Sequence, residues 1–452
     1  MADSWLPDLG RVPGAKYLAI ASAIASAVET GKLRAGDRLP PQRELAARLG
    51  VDLGTVTRAY DQVRERGLIG ARGRAGSFVL TQDGIAAGPP PLDTGMNMPP
   101  EVIGGSLLAA WERTMGALLR APGASGRLHY APAGGREADR AAGAAILSRI
   151  GLTSDVDQVI VAAGAQNALH AIVGTMLGRG DVVACGTHVY PGFLALARKA
   201  GLRLAPLARI EACALDALCR KTKVTALYVV PTNDNPTTVT LEREERAALA
   251  QVARQHGVRL IEDDAYGQLA ERVTAPLTSF APELGCYIAS VSKTISPALR
   301  VAHVRASSMK DALTLAAAVH DASVMPPPLE VALVTRWMED GSYERLIAET
   351  RAEAKARQRV AAEILPARSY AADPCGYHLW VPLPAGADQA RIAGALRGAG
   401  LTAITADSFA AADATVPALR VSLGGAIDRA GLARGLTMLA MELAGERGAG
   451  VI

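Results

Sequence analysis

The sequence SVSKTISPALR, residues 290–300, is the most informative stretch of this 452-residue chain. Lys293 stands there among hydroxyl side chains, and an arginine follows seven positions later. A lysine amine can form a Schiff base with an aldehyde, and Ser290, Ser292 and Arg300 supply the donors that a phosphate ester needs. A solvated lysine in a polar loop would give the same short pattern. The flanking sequence therefore has to decide between a covalent cofactor site and an ordinary loop.

Short apolar runs alternate with helical stretches around Lys293. The runs are VIVAAG, DVVACG, TALYVV, RLIEDD and CYIASVS, and each ends in a turn. This alternation predicts an α/β domain with a mostly parallel sheet clad by helices. Such sheets bind ligands at the carboxyl ends of their strands. We therefore expect the polar residues that follow these runs to lie close together.

Several of those residues suit a phosphorylated heterocycle. In GAQNAL, a glycine turn opens a helix, so the amides of Ala165 and Gln166 point at an anion. Tyr190 follows a strand, where an aromatic ring can lie on a heterocycle or simply fill the core. Asn235 is a donor or part of a plain Asn-Pro turn. A carboxylate of IEDDAYG, residues 261–267, would keep a pyridine nitrogen protonated, although paired acids also occur at solvated strand ends.

The first 80 residues have the pattern of a small helical DNA reader. A helix is predicted from Lys16 to Gly31, and a short helix is predicted to begin at Gln42 after two prolines and to end at Gly50. A third helix follows Asp52, which can cap it. The sequence LIGARGRAGSFVL then predicts two short strands around a basic turn. This order predicts a winged helix-turn-helix, although a three-helix bundle with a basic face remains an alternative.

Charge supports the DNA-binding interpretation. Residues 1–80 hold 12 Lys or Arg against 8 Asp or Glu, and the remaining residues hold 36 of each, so the whole excess of +4 lies at the front. Outward positions of the third helix and the basic turn are the predicted contacts to bases and phosphates. They are Thr55, Thr57, Arg58, Arg72 and Arg74.

Composition narrows the remaining classes. Half of the residues are apolar and a fifth are charged, which is typical of a soluble globular chain. Five cysteines form no CxxC pair, so neither a metal site nor a disulfide framework is expected. No export signal opens the sequence, and a cytoplasmic location is expected. A Pro- and Gly-rich linker at 81–101 separates a DNA-binding domain at 11–80 from a larger domain at 102–445.

Both domains resemble known families. Residues 11–80 resemble the GntR family of winged-helix regulators through LRAGDRLPPQRELAARLGV, TVTRAYDQVRERGLI and RGRAGSFV. That resemblance implies that Arg43 touches DNA along with the recognition helix and the wing. Residues 95–445 resemble the class I and II aminotransferases of fold type I through RLHYAPAGG, GAQNAL, VYPG, NPTT, IEDDAYG, SVSK and LRVSLGG. A small C-terminal α+β subdomain is expected from that fold.

The aminotransferase resemblance implies pyridoxal 5'-phosphate as the cofactor, held on Lys293. Ser290 and Arg300 would bind its phosphate, together with the helix start at Ala165 and Gln166. This agrees with the phosphate donors found in the sequence itself.

The same resemblance assigns the residues around the cofactor ring. Tyr190 would stack on the ring, and Asn235 and Tyr266 would donate to its phenolic oxygen. Asp263 would face the pyridine nitrogen, with Asp264 a second candidate.

Further expectations concern the neighbouring protomer, the effector and two departures from the family pattern. Tyr130 would reach the phosphate bound by the neighbouring protomer, and Arg420 would bind a substrate carboxylate. Thr238, in NPTT, and Ala302 stand where the family usually has glycine. Both are expected to change turn geometry near the cofactor, which makes turnover less secure than cofactor binding.

A winged helix joined to an aminotransferase-like domain resembles the MocR-type regulators. The resemblance implies a homodimeric transcriptional regulator that binds promoter DNA with repeated half-sites and senses an amino acid or amine through aldimine exchange at Lys293. The alternative is an active aminotransferase that carries an accessory DNA-binding domain. A third possibility, a DNA-binding domain on an inactive scaffold, would leave Lys293 idle.

Overall fold

The computed structural model describes residues 5–7, 16–34, 36–65, 68–71, 76–79, 95–412 and 416–449. It divides into two compact units, Met1–Leu92 and Asp93–Ile452. In the first unit the elements are α1 (Lys16–Glu29), α2 (Gln42–Leu49), α3 (Leu53–Glu65), β1 (Ile69–Ala71) and β2 (Ser77–Val79).

Local sequence signals account for the helices of the first unit. The helix α2 starts directly after Pro41, and it ends at Gly50, which adopts a left-handed conformation with φ +60°. The side chain of Asp52 accepts a hydrogen bond from the backbone N–H of Thr55 at 2.9 Å, so it caps α3. The three predicted helices are confirmed, although α1 ends at Glu29, two residues before the left-handed Gly31 that was predicted to end it.

The core of this unit joins the three helices to the hairpin. Ile20, Ile24 and Leu45 are fully buried in it, whereas Leu18 is 44% exposed and lies outside it. Tyr60 is also buried, and its hydroxyl donates to the carbonyl of Pro40 at 2.7 Å. That bond ties α3 to the turn before α2.

The hairpin carries one feature that the sequence did not reveal. The strands β1 and β2 pair antiparallel as predicted. In addition, Arg38 forms an isolated antiparallel bridge with Phe78, so the segment before α2 adds a third strand position to the wing. Residues 72–75, with Arg72 and Arg74, lie outside the described residues.

A seven-stranded sheet between residues 159 and 305 organises the second unit. Its order is β3-β9-β8-β7-β6-β4-β5, and only β9 runs antiparallel to its neighbours. The strands are β3 (Val159–Ala162), β4 (Val182–Gly186), β5 (Arg203–Leu207), β6 (Ala226–Val229), β7 (Arg259–Asp263), β8 (Gly285–Ser290) and β9 (Ala302–Arg305). The predicted α/β fold class is confirmed.

Two strands of this sheet were not predicted, for different reasons. The strand β5 lies at the edge, only Leu207 of its residues is buried, and Pro206 within RLAPL argues against a strand. The strand β9 is fully buried, but it holds His303 and Arg305, which interrupt the apolar pattern.

Helices cover the sheet and lead into the last part of the chain. They are α4 (Leu107–Arg120), α5 (Glu137–Arg149), α6 (Ala165–Met176), α7 (Pro191–Ala200), α8 (Ala212–Cys219), α9 (Arg243–His256), α10 (Leu277–Phe280), α11 (Met309–Ser323), α12 (Pro328–Asp340) and α13 (Ser342–Ile364). Within the described residues, no helix is both long and apolar enough to cross a bilayer.

The predicted C-terminal α+β subdomain contains an antiparallel four-stranded sheet in the order β10-β11-β13-β12. Its elements are β10 (Ala371–Ala372), β11 (His378–Pro382), α14 (Gln389–Gly398), β12 (Ala403–Thr405), β13 (Ala418–Ser422) and α15 (Arg429–Ala449). The pairing of β11 with β13 places His378 opposite Ser422.

The interpretation of 95–101 as part of an extended tether is wrong. Asn97 is only 2% exposed, and the amide of Gly425 donates to the carbonyl of Pro99 at 3.1 Å. A side chain at Gly424 would collide with the carbonyl of Met98, since its Cβ would lie 1.8 Å from that oxygen. These residues are therefore packed into the second unit, because backbone pairing and burial outweigh their Pro-rich composition. Residues 81–94 lie outside the described residues.

The contact between Tyr60 and Pro40 gives a stability prediction. We expect Tyr60→Phe to destabilise the first unit by about 1–2 kcal/mol, because the carbonyl of Pro40 loses a buried donor. Hydrogen exchange of the α3 amides in the full chain measures this change. Tyr17→Phe is the matched control, since Tyr17 packs on the same core and shows no hydroxyl bond within the described residues. Equal exchange in both variants would contradict the prediction.

Candidate functional site

A cavity of about 230 Å³ lies at the carboxyl ends of β3, β4, β6, β7 and β8. The predicted residues that line it are Ala165, Gln166, Tyr190, Asn235, Asp263, Tyr266, Ser290, Lys293 and Arg300. Met96, Met98, Val230, Ala265, Ser292 and Pro297 complete the wall. The parallel strands therefore bring together side chains that are as much as 135 positions apart in sequence, from 165 to 300.

The amine of Lys293 is held in this cavity. Its Nζ donates to the backbone carbonyl of Asn97 at 2.5 Å, and its own carbonyl accepts from the hydroxyl of Tyr377 at 2.8 Å. Burial, aided by the charges of Arg420 and Arg300, lowers the pKa of Lys293 to about 8, and only Asp263 opposes this change. A larger share of the amine is therefore neutral, and hence nucleophilic, than in a solvated lysine.

Asp263 presents a carboxylate oxygen that lacks a protein partner. Its Oδ2 accepts from the hydroxyl of Tyr228 at 3.0 Å, while its buried Oδ1 has no hydrogen-bond partner within the described residues. Burial raises the pKa of Asp263 to about 6, and the bond from Tyr228 opposes this rise. Asp264 does not line the cavity, and its Oδ2 accepts from the hydroxyl of Tyr287 at 2.9 Å. The geometry thus separates the two acids.

A close approach at Gly164 builds an anion cradle. Gly164 has φ +85° and precedes α6, and a Cβ there would lie 2.3 Å from Nη2 of Arg300. The guanidinium therefore reaches the helix start because this residue has no side chain. Nη1 of Arg300 donates to Oγ of Ser292 at 3.1 Å. The amides of the helix start, this guanidinium and the neighbouring hydroxyls together offer donors to a phosphate.

Tyr190 is positioned by a second close approach. It immediately precedes α7, and a Cβ at Gly192 would lie 2.4 Å from Cε1 of its ring and 2.5 Å from Oε1 of Gln166. Nε2 of the Gln166 side chain donates to the carbonyl of Gly192 at 3.2 Å. The small residue in VYPG thus fixes both side chains at the cavity wall.

Asn97 connects several buried groups of the site. Its Nδ2 donates to the hydroxyl of Tyr266 at 3.1 Å and to Nδ1 of His378 at 3.3 Å, and its Oδ1 accepts from Ser422 at 2.9 Å. Nε2 of His378 in turn donates to the carbonyl of Asp234 at 3.1 Å. Burial lowers the pKa of His378 to about 3, so the imidazole is neutral and its tautomer is fixed by these two bonds.

Two predicted site residues do not line the cavity. Arg420 is 1% exposed, its Nη2 donates to the carbonyl of Gly95 at 2.6 Å, and its guanidinium lies 5.7 Å from the ring centre of Phe409. Its charge nevertheless acts on Lys293. Tyr130 is 81% exposed. It is therefore available to a second chain, and it does not line the cavity of its own chain.

The residue at the first departure from the family pattern keeps the backbone conformation that favours glycine. Thr238 has φ +64°, and its amide donates to the carbonyl of Asp234 at 2.7 Å. A β-branched residue in this left-handed conformation costs about 1–3 kcal/mol. Ala302, the second departure, is fully buried in β9.

The predicted DNA-contacting residues fall into two groups. The side chains of Arg43 and Arg58 are exposed. The threonine hydroxyls are engaged within the domain: that of Thr55 donates to Asp52 at 2.6 Å, and that of Thr57 donates to Oε1 of Gln42 at 3.0 Å. The hydroxyl of Thr57 therefore links α3 to α2.

Sequence reasoning missed some residues of the site. Met96, Asn97 and Met98 were assigned to the linker, because the prolines around them resemble a tether. Tyr228, which supports Asp263, lies inside the apolar run TALYVV, and its ring stacks on Phe193 with centroids 3.7 Å apart. A tyrosine hydroxyl in a buried strand needs a partner, and this was the available signal.

Comparison with known families agrees with both halves of the chain. The model of the GntR family of bacterial regulatory proteins matches residues 16–79. The model of aminotransferases of class I and II matches residues 106–438.

Similar proteins combine the same two parts or share the larger one. The HTH-type transcriptional regulator YdeF of Bacillus subtilis is 27% identical over 392 residues, which cover 84% of each chain. The vitamin B6 salvage pathway transcriptional repressor PtsJ of Salmonella typhimurium is 29% identical over 376 residues, covering 80% of this chain and 84% of PtsJ. The structure of LysN, an α-aminoadipate aminotransferase of Thermus thermophilus complexed with N-(5'-phosphopyridoxyl)-L-leucine, superposes with a TM-score of 0.68 at 25% identity and covers 79% of this chain and 94% of LysN.

These findings define a helix-turn-helix DNA-binding protein that is fused to an aminotransferase-like domain. The chain belongs to the class I and II aminotransferase family through its larger part, and with its GntR-type domain it is a transcriptional regulator with an aminotransferase-like domain. The cofactor that this family implies is pyridoxal 5'-phosphate.

The residues at the cavity fit this cofactor. The unpartnered Oδ1 of Asp263 is the acceptor that a protonated pyridine nitrogen needs. The approach of Arg300 to the helix start at Gly164 provides a phosphate cradle. Lys293 supplies an amine of lowered pKa for the aldehyde.

The charges around Lys293 give a pH prediction. The neutral amine reacts with the aldehyde, so the rate at which the cofactor-free protein takes up pyridoxal phosphate should rise about tenfold per pH unit below 8 and level off above it. An ordinary lysine would level off near 10.5. The measurement reduces the imine with borohydride at set times and quantifies the reduced adduct on Lys293 by mass spectrometry.

Two variants should move this midpoint in opposite directions. Asp263→Asn removes the charge that raises the pKa of Lys293, so the midpoint falls. Arg420→Gln removes a charge that lowers this pKa, so the midpoint rises. A common midpoint near 10 in all three proteins would contradict the prediction.

Proposed function

We propose that an amino acid or amine controls the DNA binding of this regulator by exchanging with Lys293 at the cofactor. The observation that carries the proposal is the arrangement of Lys293, with its amine of lowered pKa, beside the unpartnered carboxylate oxygen of Asp263. A buried lysine and a buried carboxylate without full partners are costly, and such groups occur where a ligand completes their contacts.

Different cavity residues would bind different parts of the cofactor. The phosphate would be held by Ser290, Arg300 and the amides of Ala165 and Gln166. Tyr190 would cover the ring face.

Other residues would set the electronic state of the ring. Asn235 and Tyr266 would donate to the phenolic oxygen, and Asp263 would accept from the ring nitrogen. The bond from Tyr228 keeps Asp263 oriented towards that role.

Bound pyridoxal phosphate supplies an aldehyde that condenses with amines and a pyridinium ring that withdraws electrons. Lys293 would take part twice. It would hold the cofactor, and its Nζ, with a pKa of about 8, would be a base that can accept or return a proton when an amine occupies the site.

Arg420 would recognise the carboxylate of an amino-acid effector. Its guanidinium is buried and donates to Gly95 through one nitrogen, and its planar fork suits a carboxylate. An effector that occupies Arg420 and replaces Lys293 binds one arrangement of the domain better than another. Its differential affinity is then the free energy available to shift DNA binding.

We further propose a homodimer that binds repeated half-sites and acts in the cytoplasm. Exposed apolar side chains between positions 103 and 130 support a dimer, and they include Ile103, Leu108, Leu128 and Tyr130 at 66–81% exposure. Tyr130 would then reach the phosphate of the partner's cofactor. A two-fold pair of winged helices requires a repeated DNA site.

An active aminotransferase is the second candidate. The 2-aminoadipate transaminase of Thermus thermophilus is 29% identical over 304 residues, which cover 64% of this chain and 76% of the enzyme. Lys293, which would transfer the proton, lines the cavity. Release of many equivalents of keto acid during an amino-acid titration would favour this candidate, whereas release of one equivalent or less favours a sensor.

The sensing role can be tested by DNA binding. With pyridoxal phosphate and the correct amino acid, we expect the affinity for the DNA upstream of the gene to change about 5- to 150-fold. Lys293→Ala should abolish the change, because covalent exchange is lost. Arg420→Ala should abolish the response to amino acids and spare the response to an amine without a carboxylate.

The matched control is Arg220→Ala, which removes an exposed arginine that is paired with Asp216 at 2.8 Å. It should leave the response unchanged. A full response in Lys293→Ala would show that sensing does not use the cofactor site and would overturn the proposal.

The exposed arginines of the winged helix give a second test. Arg43→Ala and Arg58→Ala should each weaken DNA binding by about 1–3 kcal/mol without a change in cofactor absorbance. Arg64→Ala in the same helix is the control, because Arg64 lies in the last turn of α3 and pairs with Asp61 at 2.6 Å. Electrophoretic retardation of the upstream DNA measures all three. Equal retardation by the wild type and both variants would exclude this recognition surface.

A further inference from the structure

Two backbone carbonyls of residues 95–97 hold charged groups of the site. The carbonyl of Asn97 accepts from Nζ of Lys293 at 2.5 Å, and the carbonyl of Gly95 accepts from Nη2 of Arg420 at 2.6 Å. Both are charge-assisted bonds when the donors are protonated. These donors are the groups to which the proposed function assigns the amino group and the carboxylate of the effector. One three-residue segment thus contacts both of the residues that are expected to bind the two ends of the ligand.

The side chain of Asn97 fixes this segment in one position. It is 2% exposed and makes the bonds to Tyr266, His378 and Ser422 described above. Because Nε2 of His378 donates to Asp234, its Nδ1 can only accept from Asn97. A flipped amide would oppose its oxygen to that lone pair. The orientation of Asn97 is therefore determined by its neighbours.

The segment is anchored on one side and continues towards the DNA-binding domain on the other. After it, the amide of Glu101 donates to Gly425 and the amide of Gly425 donates to Pro99, both at 3.1 Å. Before it, the chain runs through residues 81–94 to the winged helix. The hydrogen bonds between residues 99–101 and Gly425 therefore hold the C-terminal side of this segment in place.

We propose that residues 95–97 register occupancy of the site, with Asn97 as the positioning residue for Lys293 and Tyr266. The carbonyl of Asn97 would lose its donor when the cofactor takes up Lys293, and the carbonyl of Gly95 would lose its donor when an effector that replaces Lys293 engages Arg420 with its carboxylate. Both hydrogen bonds are partly buried, so a carbonyl that loses its charged donor favours a position in which another donor satisfies it, and the segment would shift. This inference rests on the proposed function, since it names the element that would carry its signal.

The positioning role predicts opposite effects of two substitutions on the pH midpoint of cofactor uptake. The charged groups that face Lys293 are Asp263, Arg300 and Arg420, and His378 is neutral. Asn97→Ala releases the carbonyl that stabilises the ammonium form, so the midpoint should fall by roughly half to one pH unit. Asn97→Asp adds a negative charge, so the midpoint should rise.

The control for these measurements is Thr335→Val. It removes another buried side-chain hydrogen bond, from Thr335 to Asp139 at 2.8 Å, and should keep the wild-type midpoint. An unchanged midpoint in both Asn97 variants, or a shift in the same direction, would overturn the positioning role. Loss of stability alone cannot produce shifts of opposite sign.

The registering role is tested on full-length protein loaded with pyridoxal phosphate. Asn97→Ala should still form the adduct at Lys293 that borohydride reduces. It should lose most of the change in DNA affinity that an amino acid causes in the wild type. Thr335→Val should retain that change. A full change in loaded Asn97→Ala would overturn the registering role. If the wild type itself shows no change, the sensing proposal and the registering role fail together, and the pH midpoints still decide the positioning role.

Discussion

The structure of the site depends on the burial of one amine among charges of both signs. Loss of solvation disfavours the ammonium form of Lys293 most, and the guanidinium groups of Arg420 and Arg300 add to this effect. Only Asp263 favours the ammonium form. The result is an amine whose pKa of about 8 lies close to physiological pH. It can therefore act as a nucleophile and as a base without a separate activating group. The opposing charge of Asp263 limits the fall, so a protonated form stays accessible.

This balance requires that the charged groups keep their places, and small residues make that possible. Arg300 reaches the start of α6 because Gly164 has no side chain, and Tyr190 packs beside Gln166 because Gly192 has none. Each close approach holds a side chain in one position before a ligand binds, and this lowers the conformational entropy that is lost on binding. The strain at Thr238, by contrast, shows that the turn after Asn235 keeps its left-handed conformation even without glycine. The surrounding contacts, including the bond to Asp234, determine that conformation.

The sequence was most informative where local signals and function coincide. Capping at Asp52, the proline before α2 and the left-handed Gly50 determined the helix-turn-helix, because these signals act within a few residues. The cavity residues were found because motifs follow the strands of a parallel sheet. Asn97 could not be found in this way, since its role arises from contacts with residues such as Tyr266 and Ser422, 169 and 325 positions away. The edge strand β5 was missed because Pro206 argues against a strand and only one of its residues is buried.

The distribution of charge limits how an effector could influence DNA. The excess of positive charge lies in residues 1–80, and the rest of the chain carries equal numbers of basic and acidic side chains. A bound amino acid or amine changes the net charge of the large domain by about one unit, and mobile ions screen such a change within about 8 Å. Beyond that distance, the electrostatic attraction of DNA would stay nearly constant during the proposed exchange at Lys293. The coupling free energy of the proposed sensor would then come from geometry, either from a change in the chain that leads to the winged helix or from a change in the pairing of two such domains. Reciprocity would require that bound DNA alter effector affinity by the same factor.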